Sequence, residues 1–234
     1  KEREVITYLA GLIGLTAEYH GVTDETISWA TLDEEDLPEI ISEIAWQGIK
    51  GLRRSGTTLD VFDLQSDLPI VDVLNLNQIQ FNKFKVFPSD YSELITKLTL
   101  SYNLIDLTAE PEEQIHRNNE DLYDTLKEEA DVYIFNSVLN IINTGNYWIT
   151  RYSDPEYMIE LTGSLDLMKY EVWDKITITT PTHRFAKESP LAHIHTVSDA
   201  HWGLTPVIVK EVSVNVNEMS VTLLLRSNKV VGTL

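Results

Sequence analysis

Cysteine is absent from the 234-residue chain, which excludes disulfides, thiolate metal sites and catalysis by a cysteine nucleophile. Cationic residues are scarce, with 18 lysines and arginines against 37 aspartates and glutamates and a formal charge of −19 at pH 7. Nucleic-acid binding relies on lysine and arginine displacing condensed counterions, so no stable nucleic-acid binding is expected. An acidic surface of this kind gives solubility and spacing from other chains. Mean hydropathy is −0.14, and no apolar run approaches the roughly 20 residues a membrane-crossing helix requires, so no membrane span is expected. Phosphate-binding glycine loops, the dinucleotide fingerprint and the G-x-S-x-G nucleophile elbow are missing, which disfavours nucleotide-dependent chemistry. Low-complexity segments and internal repeats are absent as well.

The opening KEREVITYLAGLIGL pairs a charged start with an apolar stretch. Glu2 and Glu4, with no small-residue cleavage pattern after them, argue against a signal peptide and for an amphipathic helix. There is no initiator methionine, and the chain is expected to be part of a longer polypeptide.

Hydrophobic residues make up 43% of the chain, enough for a sizeable core in one or two domains. Val5, Ile6, Leu9, Leu12 and Ile13 recur at helical spacing, with Gly14 as the stop. Asp36 caps a second helix with Pro38 in its first turn, and Leu37, Ile40, Ile41, Ile44 and Ala45 form its apolar stripe, ending at Gly48 and Gly51. The acidic run 33–36 reads as a solvated cap on that helix. Residues 58–65 alternate as a strand, and a soft boundary falls near 67–69. Leu74, Leu76, Ile79 and Phe81 fit short helix or strand fragments equally well. Asn118 or Asn119, followed by Glu120 and Asp121, starts a helix with Leu122, Leu126 and Ala130 as its stripe. Residues 137–148 read as a helix weakened at Asn143-Thr144-Gly145. Val212, Val214 and Val216, then Met219, Val221, Leu223 and Leu225, alternate on the two arms of a hairpin turning at Asn217-Glu218, with Val214 and Leu223 inward.

Chemistry-bearing clusters are few. In LAHIHTVSDAHWG, His193 and His195 point the same way if the segment is extended, Asp199 and His201 complete a set, and His183 is close in sequence. These nitrogen and carboxylate donors would suit zinc or iron, and three chains could share iron on a threefold axis. A polar loop whose histidines bond to backbone or solvent is the favoured reading, and neither a metal nor another cofactor is assigned. Ser198, Asp199 and His201 contain triad residue types, but a triad needs them to converge from separate elements. The pairs Glu34-Glu35, Glu112-Glu113 and Glu128-Glu129 are expected from an acid-rich composition, although glycosidases use two carboxylates. Trp29, Trp46, Trp148, Trp173 and Trp202 read as core or interface anchors ahead of a sugar-binding cleft. No catalytic, cofactor-binding or metal residue is assigned.

Within 149–180, ITRYSDPEYMIELTGSLDLMKYEVWDKITITT, residues 158–162 and 175–180 read as strands, separated by turns at Asp154-Pro155 and Gly163-Ser164. This segment resembles a β-module of bacteriophage tail hub and baseplate hub proteins. Arg151, Tyr152 and Pro155 lead into a strand, Leu165, Asp166 and Leu167 form the turn, and Asp174 opens the next strand. Trp173 stands where that family usually has glycine. Residues 88–106, with Tyr102-Asn103 closing a strand, the helix started by Asn119, and the hairpin 205–228 follow the family's order. The amino-terminal third resembles the helical insertion that precedes these strands. The resemblance implies a non-enzymatic virion component of the phage tail, assembled in the host cytoplasm and forming a ring at the tail axis that joins tube to tip. Its expected partners are copies of itself, as a trimer, and other tail or baseplate proteins, and its acidic faces would line a channel through which DNA passes.

The expected fold is α+β: a helix-rich segment over 1–65, then a β-rich barrel- or sandwich-like module over 66–234 with a helical insertion near 118–148. A cell-envelope polymer hydrolase, glycoside- or metal-dependent, and a carbohydrate-binding module are the alternative readings.

Overall fold

The computed structural model describes residues 1–21, 23–27, 36–75, 78–102, 111–135, 137–179 and 205–227. These residues divide into two compact units, each assembled from separate stretches of chain. One contains Lys1–Leu68 and Ser92–Asp154, and the other contains the described residues of Pro69–Tyr91 and Pro155–Val230. Two consecutive blocks, 1–65 and 66–234, therefore do not describe the molecule, because 92–154 fold with the amino-terminal residues around a shared core.

In the first unit, helix α1 (Glu2–Leu12) buries Ile6 and Leu9, and Gly14 takes a positive φ of 75° just past its end. Helix α2 (Leu37–Gln47) starts after Asp36 with a proline in its first turn and buries Ile40, Ile41 and Ile44, the stripe read from spacing. The expectation of a helical first third is met only in part. Strands β1 (Thr16–His20), β2 (Lys50–Ser55) and β3 (Thr58–Asp63) form a sheet in the order β1-β3-β2, with β1 parallel to β3 and β2 antiparallel to it. A second sheet, ordered β7-β6-β8, is built from β6 (Lys97–Tyr102), β7 (Glu112–Arg117) and β8 (Lys127–Asp131). Leu59, Val61, Leu98 and Leu100 from the two sheets share one core with the helices.

Two helix expectations need correction here. The helix after Asn119, α3, is only Glu120–Tyr123, and Leu126 and Ala130 are not on it. Asn119 and Asp124 both have positive φ, so the helix is bounded on each side. Thr96 then draws the chain alongside β6, accepting from the Leu126 N–H at 2.8 Å and donating its hydroxyl to the Asp124 carbonyl at 2.6 Å. Helix α4 (Val138–Tyr152), by contrast, runs unbroken through Asn143-Thr144-Gly145, and Arg151 and Tyr152 belong to its last turn rather than to an extended lead-in. A Cβ at Gly145 would collide with the His116 ring, while Thr144 Oγ donates to the Gln47 carbonyl at 2.9 Å. The glycine's helix penalty of about 1 kcal/mol is outweighed by the close packing it permits.

The second unit is a six-stranded sheet in the order β4-β10-β11-β12-β9-β5. Its strands are β4 (Ile70–Asn75), β5 (Ile79–Pro88), β9 (Tyr157–Ser164), β10 (Lys175–Thr179), β11 (Thr205–Asn215) and β12 (Ser220–Ser227). The segment left open between helix and strand is thus two strands, and Gly163-Ser164 continue β9. Although consecutive in the chain, β4 and β5 form opposite edges of the sheet. Five strand spacings in a flat sheet would separate those edges by about 24 Å. The three peptide units from Asn75 to Gln78 reach at most about 11 Å, and the Asn75 N–H donates to Gln78 Oε1 at 3.2 Å. The sheet must therefore curl until its edges are neighbours.

Register shifts in three ladders, at Lys175/Ile176, Val209/Glu211 and Ile79/Phe84, supply the bending. Leu74 on one edge strand and Ile79 on the other enter a single core with Leu161, Val209 and Leu223, closed by Leu167 and Tyr170. Because β4 and β5 are not paired with each other, the sheet is open and curled; a closed barrel is not formed.

Candidate functional site

The first unit carries a buried polar cluster where β2 and β3 meet the loop after β1. Asp63 accepts from Thr23 Oγ at 2.6 Å, Ser66 Oγ at 2.8 Å and the Thr23 and Gln65 N–H groups at 3.2 Å. Lys50 Nζ lies 3.5 Å from its carboxylate and donates to Thr23 Oγ, with both charged side chains 97% or more removed from solvent. Burial pushes the Asp63 carboxyl up, but these donors and the ammonium outweigh it and hold it below the usual range. Gly21, at φ 131°, leaves room for the Asp63 side chain, which any Cβ would strike.

Glu2 is fully buried with its carboxylate against Gly48, and among the described residues neither oxygen has a well-formed hydrogen bond. Burial raises its pKa to about 7, against the opposing field of Lys50. The cavity beside it, lined by Glu25, Gln47, Asn140 and Thr144, measures about 20 Å³. That is room for roughly one water, not for an organic substrate.

A different arrangement covers the outer face of the β1-β3-β2 sheet. The parallel register sets Glu18 opposite Asp60, and β2 brings Arg53 to the other side of Asp60. His20 Nε2 is 2.9 Å from Asp60 Oδ1, and Arg53 Nε donates to Oδ2 at 3.0 Å. Burial raises the Asp60 pKa, but the His20 and Arg53 contacts bring it below normal on balance. Phe62 lies beneath, with the His20 ring stacked at 4.7 Å and the Arg53 guanidinium at 4.9 Å. Glu18, His20 and Asp60 present donor atoms all within 4.8 Å of one another. Neither Glu18 nor His20 was singled out by the sequence reading. The available signal was a carboxylate and an imidazole two positions apart, which a strand places on one face.

In the second unit, Trp173 has φ 75°, the left-handed backbone that glycine adopts freely, so tryptophan occupies a glycine-favouring position. Its N–H donates to the Val209 carbonyl at 2.9 Å, and the Arg226 guanidinium sits 4.6 Å from its ring centroid. Asp72 on β4 receives Lys169 Nζ and the Tyr170 hydroxyl, the latter at 2.9 Å; led by the Lys169 bond, these contacts lower its pKa to about 2. Exposed apolar side chains gather on the edge strand β4, at Ile70, Val71 and Val73, and at the β11-β12 tip, at Val214, Val216 and Met219. Leu223 is buried as expected, but Val214 is 44% exposed. The reason is lateral: β10 pairs with β11 only from Thr205 to Ile208, so among the described residues no strand flanks Val214 on that side.

Residues 180–204, which hold His183, His193, His195, Ser198, Asp199, His201 and Trp202, lie outside the described residues, as do Trp29 and Glu34-Glu35. The remaining candidates are not brought together into a cleft. Glu112 accepts from the Tyr102 hydroxyl at 2.6 Å, and Glu128 and Glu129 are exposed neighbours on β8. Trp46 and Trp148 stack at 5.7 Å, with Tyr147 and Tyr152 against Trp148 at 5.0 and 5.6 Å. The Trp148 indole N–H donates to the Trp46 carbonyl at 3.1 Å. These two tryptophans anchor packing.

No family model and no curated protein matches the chain. Solved structures do. The tail protein from Neisseria meningitidis MC58 matches at TM-score 0.58 and 11% identity, over 98% of this chain and 67% of its own. The 43 kDa tail protein of prophage MuSo2 from Shewanella oneidensis matches at 0.56 and 10%, over 94% and 65%. A chain in the virion of a native gene transfer agent particle matches at 0.57 and 8%, over 83% and 40%. The fold is therefore that of phage tail proteins. The chain spans 40% to 67% of the length of these three structures.

Proposed function

We propose that the chain is a structural component of a phage tail or a tail-like particle, and specifically a hub or baseplate-hub subunit that forms a ring at the tail axis. The observation that carries this reading is the shared fold, which extends over nearly the whole chain in two independent tail proteins. The curled sheet agrees with it. A tail ring needs subunits with apolar contact surfaces, and β4 offers one in Ile70 and Val71, both more than half exposed. Self-association as a trimer and docking to other tail proteins are the physical work of such a subunit. In this reading the protein resides in the virion and is assembled in the host cytoplasm.

The test is the mass of the protein in solution by light scattering at tens of micromolar in low and moderate salt, followed by imaging of any assembly. A closed trimer with a central opening is the expected result. A monomer at every concentration, combined with hydrolysis of peptidoglycan or polysaccharide, would replace the structural reading with the hydrolase.

A further inference from the structure

We propose that Glu18, His20 and Asp60 form a binding site for a first-row divalent metal ion, of which zinc is the best fit, on the outer face of β1 and β3. The donor set is mixed, one imidazole and two carboxylates, which suits zinc and its neighbours better than magnesium or calcium. The geometry is close to assembled, with the three donor atoms within 4.8 Å of one another. His20 Nε2 and Asp60 Oδ1 are 2.9 Å apart. Two ligands on a tetrahedral ion with bonds of about 2.1 Å stand about 3.4 Å apart, so a separation increase of roughly half an ångström lets an ion replace the proton of this hydrogen bond.

The supports are also present. Arg53 holds the second oxygen of Asp60 at 3.0 Å, which keeps Oδ1, the oxygen bonded to His20, turned toward the imidazole as the ligand atom. The His20 ring is fixed flat on Phe62 at 4.7 Å. Outer contacts of this kind orient metal ligands and tune their affinity. Both Glu18 and His20 come from a strand in parallel register with β3, so backbone pairing sets their spacing from Asp60. Arg53 cancels one of the two carboxylate charges, leaving the cluster with net negative charge when the imidazole is neutral. Glu18 and His20 are exposed while Asp60 is buried, which gives an ion an open side with room for water ligands.

The experiment uses the full chain with His183, His193, His195 and His201 all replaced by alanine, so that the other candidate imidazoles cannot contribute. Zinc chloride is titrated by calorimetry, and cobalt chloride is followed by visible absorption. One ion per chain is expected, with binding at least tenfold weaker in His20→Ala and in Glu18→Gln. Neither variant should change the far-UV circular dichroism of the metal-free protein, and zinc should raise the melting temperature of the parent but not of either variant. Loss of zinc binding in the four-alanine background, unchanged binding in His20→Ala, or equal affinity for magnesium would each overturn the proposal. An ion-pair network that merely covers Phe62 would give the first or second of those results.

Discussion

Lys50 and Asp63 form an ion pair almost wholly removed from water, yet their partners are unequal. Asp63 accepts four hydrogen bonds in addition to the ammonium contact, whereas Lys50 Nζ donates to Thr23 Oγ and lies beside Asp63, with the Glu2 carboxylate, itself pushed toward its neutral form, as its further acidic neighbour among the described residues. Asp63→Asn preserves volume and much of the hydrogen bonding but strands a buried ammonium. Breaking one side of a buried pair costs about 3–5 kcal/mol, and the retained hydrogen bonds place this case near 3 kcal/mol. For a chain of this size that is a fall in midpoint of roughly 6–12 °C.

Lys50→Met leaves Asp63 held by its four donors and should cost about half as much, on the order of 1–2 kcal/mol. Calorimetry and urea unfolding of both variants, read from the transition of the first unit, measure these costs. The depressed Asp63 pKa adds a sign to check. Its stabilisation is complete above the ordinary carboxylate range and is lost as pH falls through the lower folded value, so the Asp63→Asn deficit should shrink in acid. A deficit under 1 kcal/mol for Asp63→Asn, or a larger one for Lys50→Met, would refute the claim that hydrogen bonds make the carboxylate the better supported partner.

Glu2 has the opposite sign. Its folded pKa is raised from 4.5 to about 7, so stability falls as pH rises across that window, by about 3 kcal/mol in full. Glu2→Gln should flatten the stability profile between pH 5 and 7 and stabilise the protein at pH 8; an unchanged profile counts against the buried carboxylate. Leu223→Asp places a charge in the core of the curled sheet and should abolish folding of the second unit, while Val214→Asp should shift the midpoint by no more than a few degrees, as thermal melts of the two variants will show. Trp173→Gly exchanges the Arg226 contact for relief of a left-handed backbone and should be nearly neutral, whereas Trp173→Ala loses the contact without the relief and should cost about 1–2 kcal/mol by urea unfolding. Equal costs for those two variants would remove the backbone from the explanation.

Much of the architecture was legible where period and punctuation agreed. Helix α2 declared itself through Asp36, Pro38 and a complete apolar stripe, and β12 through the period-two set Val221, Leu223 and Leu225. The misses have physical causes. Gly145 looks like a weak point in a helix, but its missing side chain is what lets the ring of His116, far earlier in the chain, lie against α4. Leu126 and Ala130 sit at helical spacing from Leu122, but Thr96 captures the chain for a strand beside β6, a pairing that local spacing does not encode. Val214 alternates correctly and pairs with buried Val221, and its exposure depends on where β10 stops. The likeness to tail hub modules rested on order along the chain, and the matches to solved tail proteins support that order at the level of fold. The Glu18-His20-Asp60 cluster escaped notice because it joins residues forty positions apart.

The route of the chain also sets a timetable for synthesis. Both edges of the curled sheet are translated within Pro69–Tyr91, before any of its four interior strands exist. The first of those, β9, begins about 70 residues after β5 ends, a delay of roughly 3–14 s at ribosomal speeds of about 5–20 residues per second. During that interval Ile70, Val71 and Val73 have no lateral partner within their own unit, and the first unit cannot finish either until α4 has emerged. The first unit is complete at Asp154 and precedes the second, whose two edge strands wait unpaired until the residues after Pro155 emerge, so fast translation or chaperone cover of this stretch should raise the yield of soluble subunit.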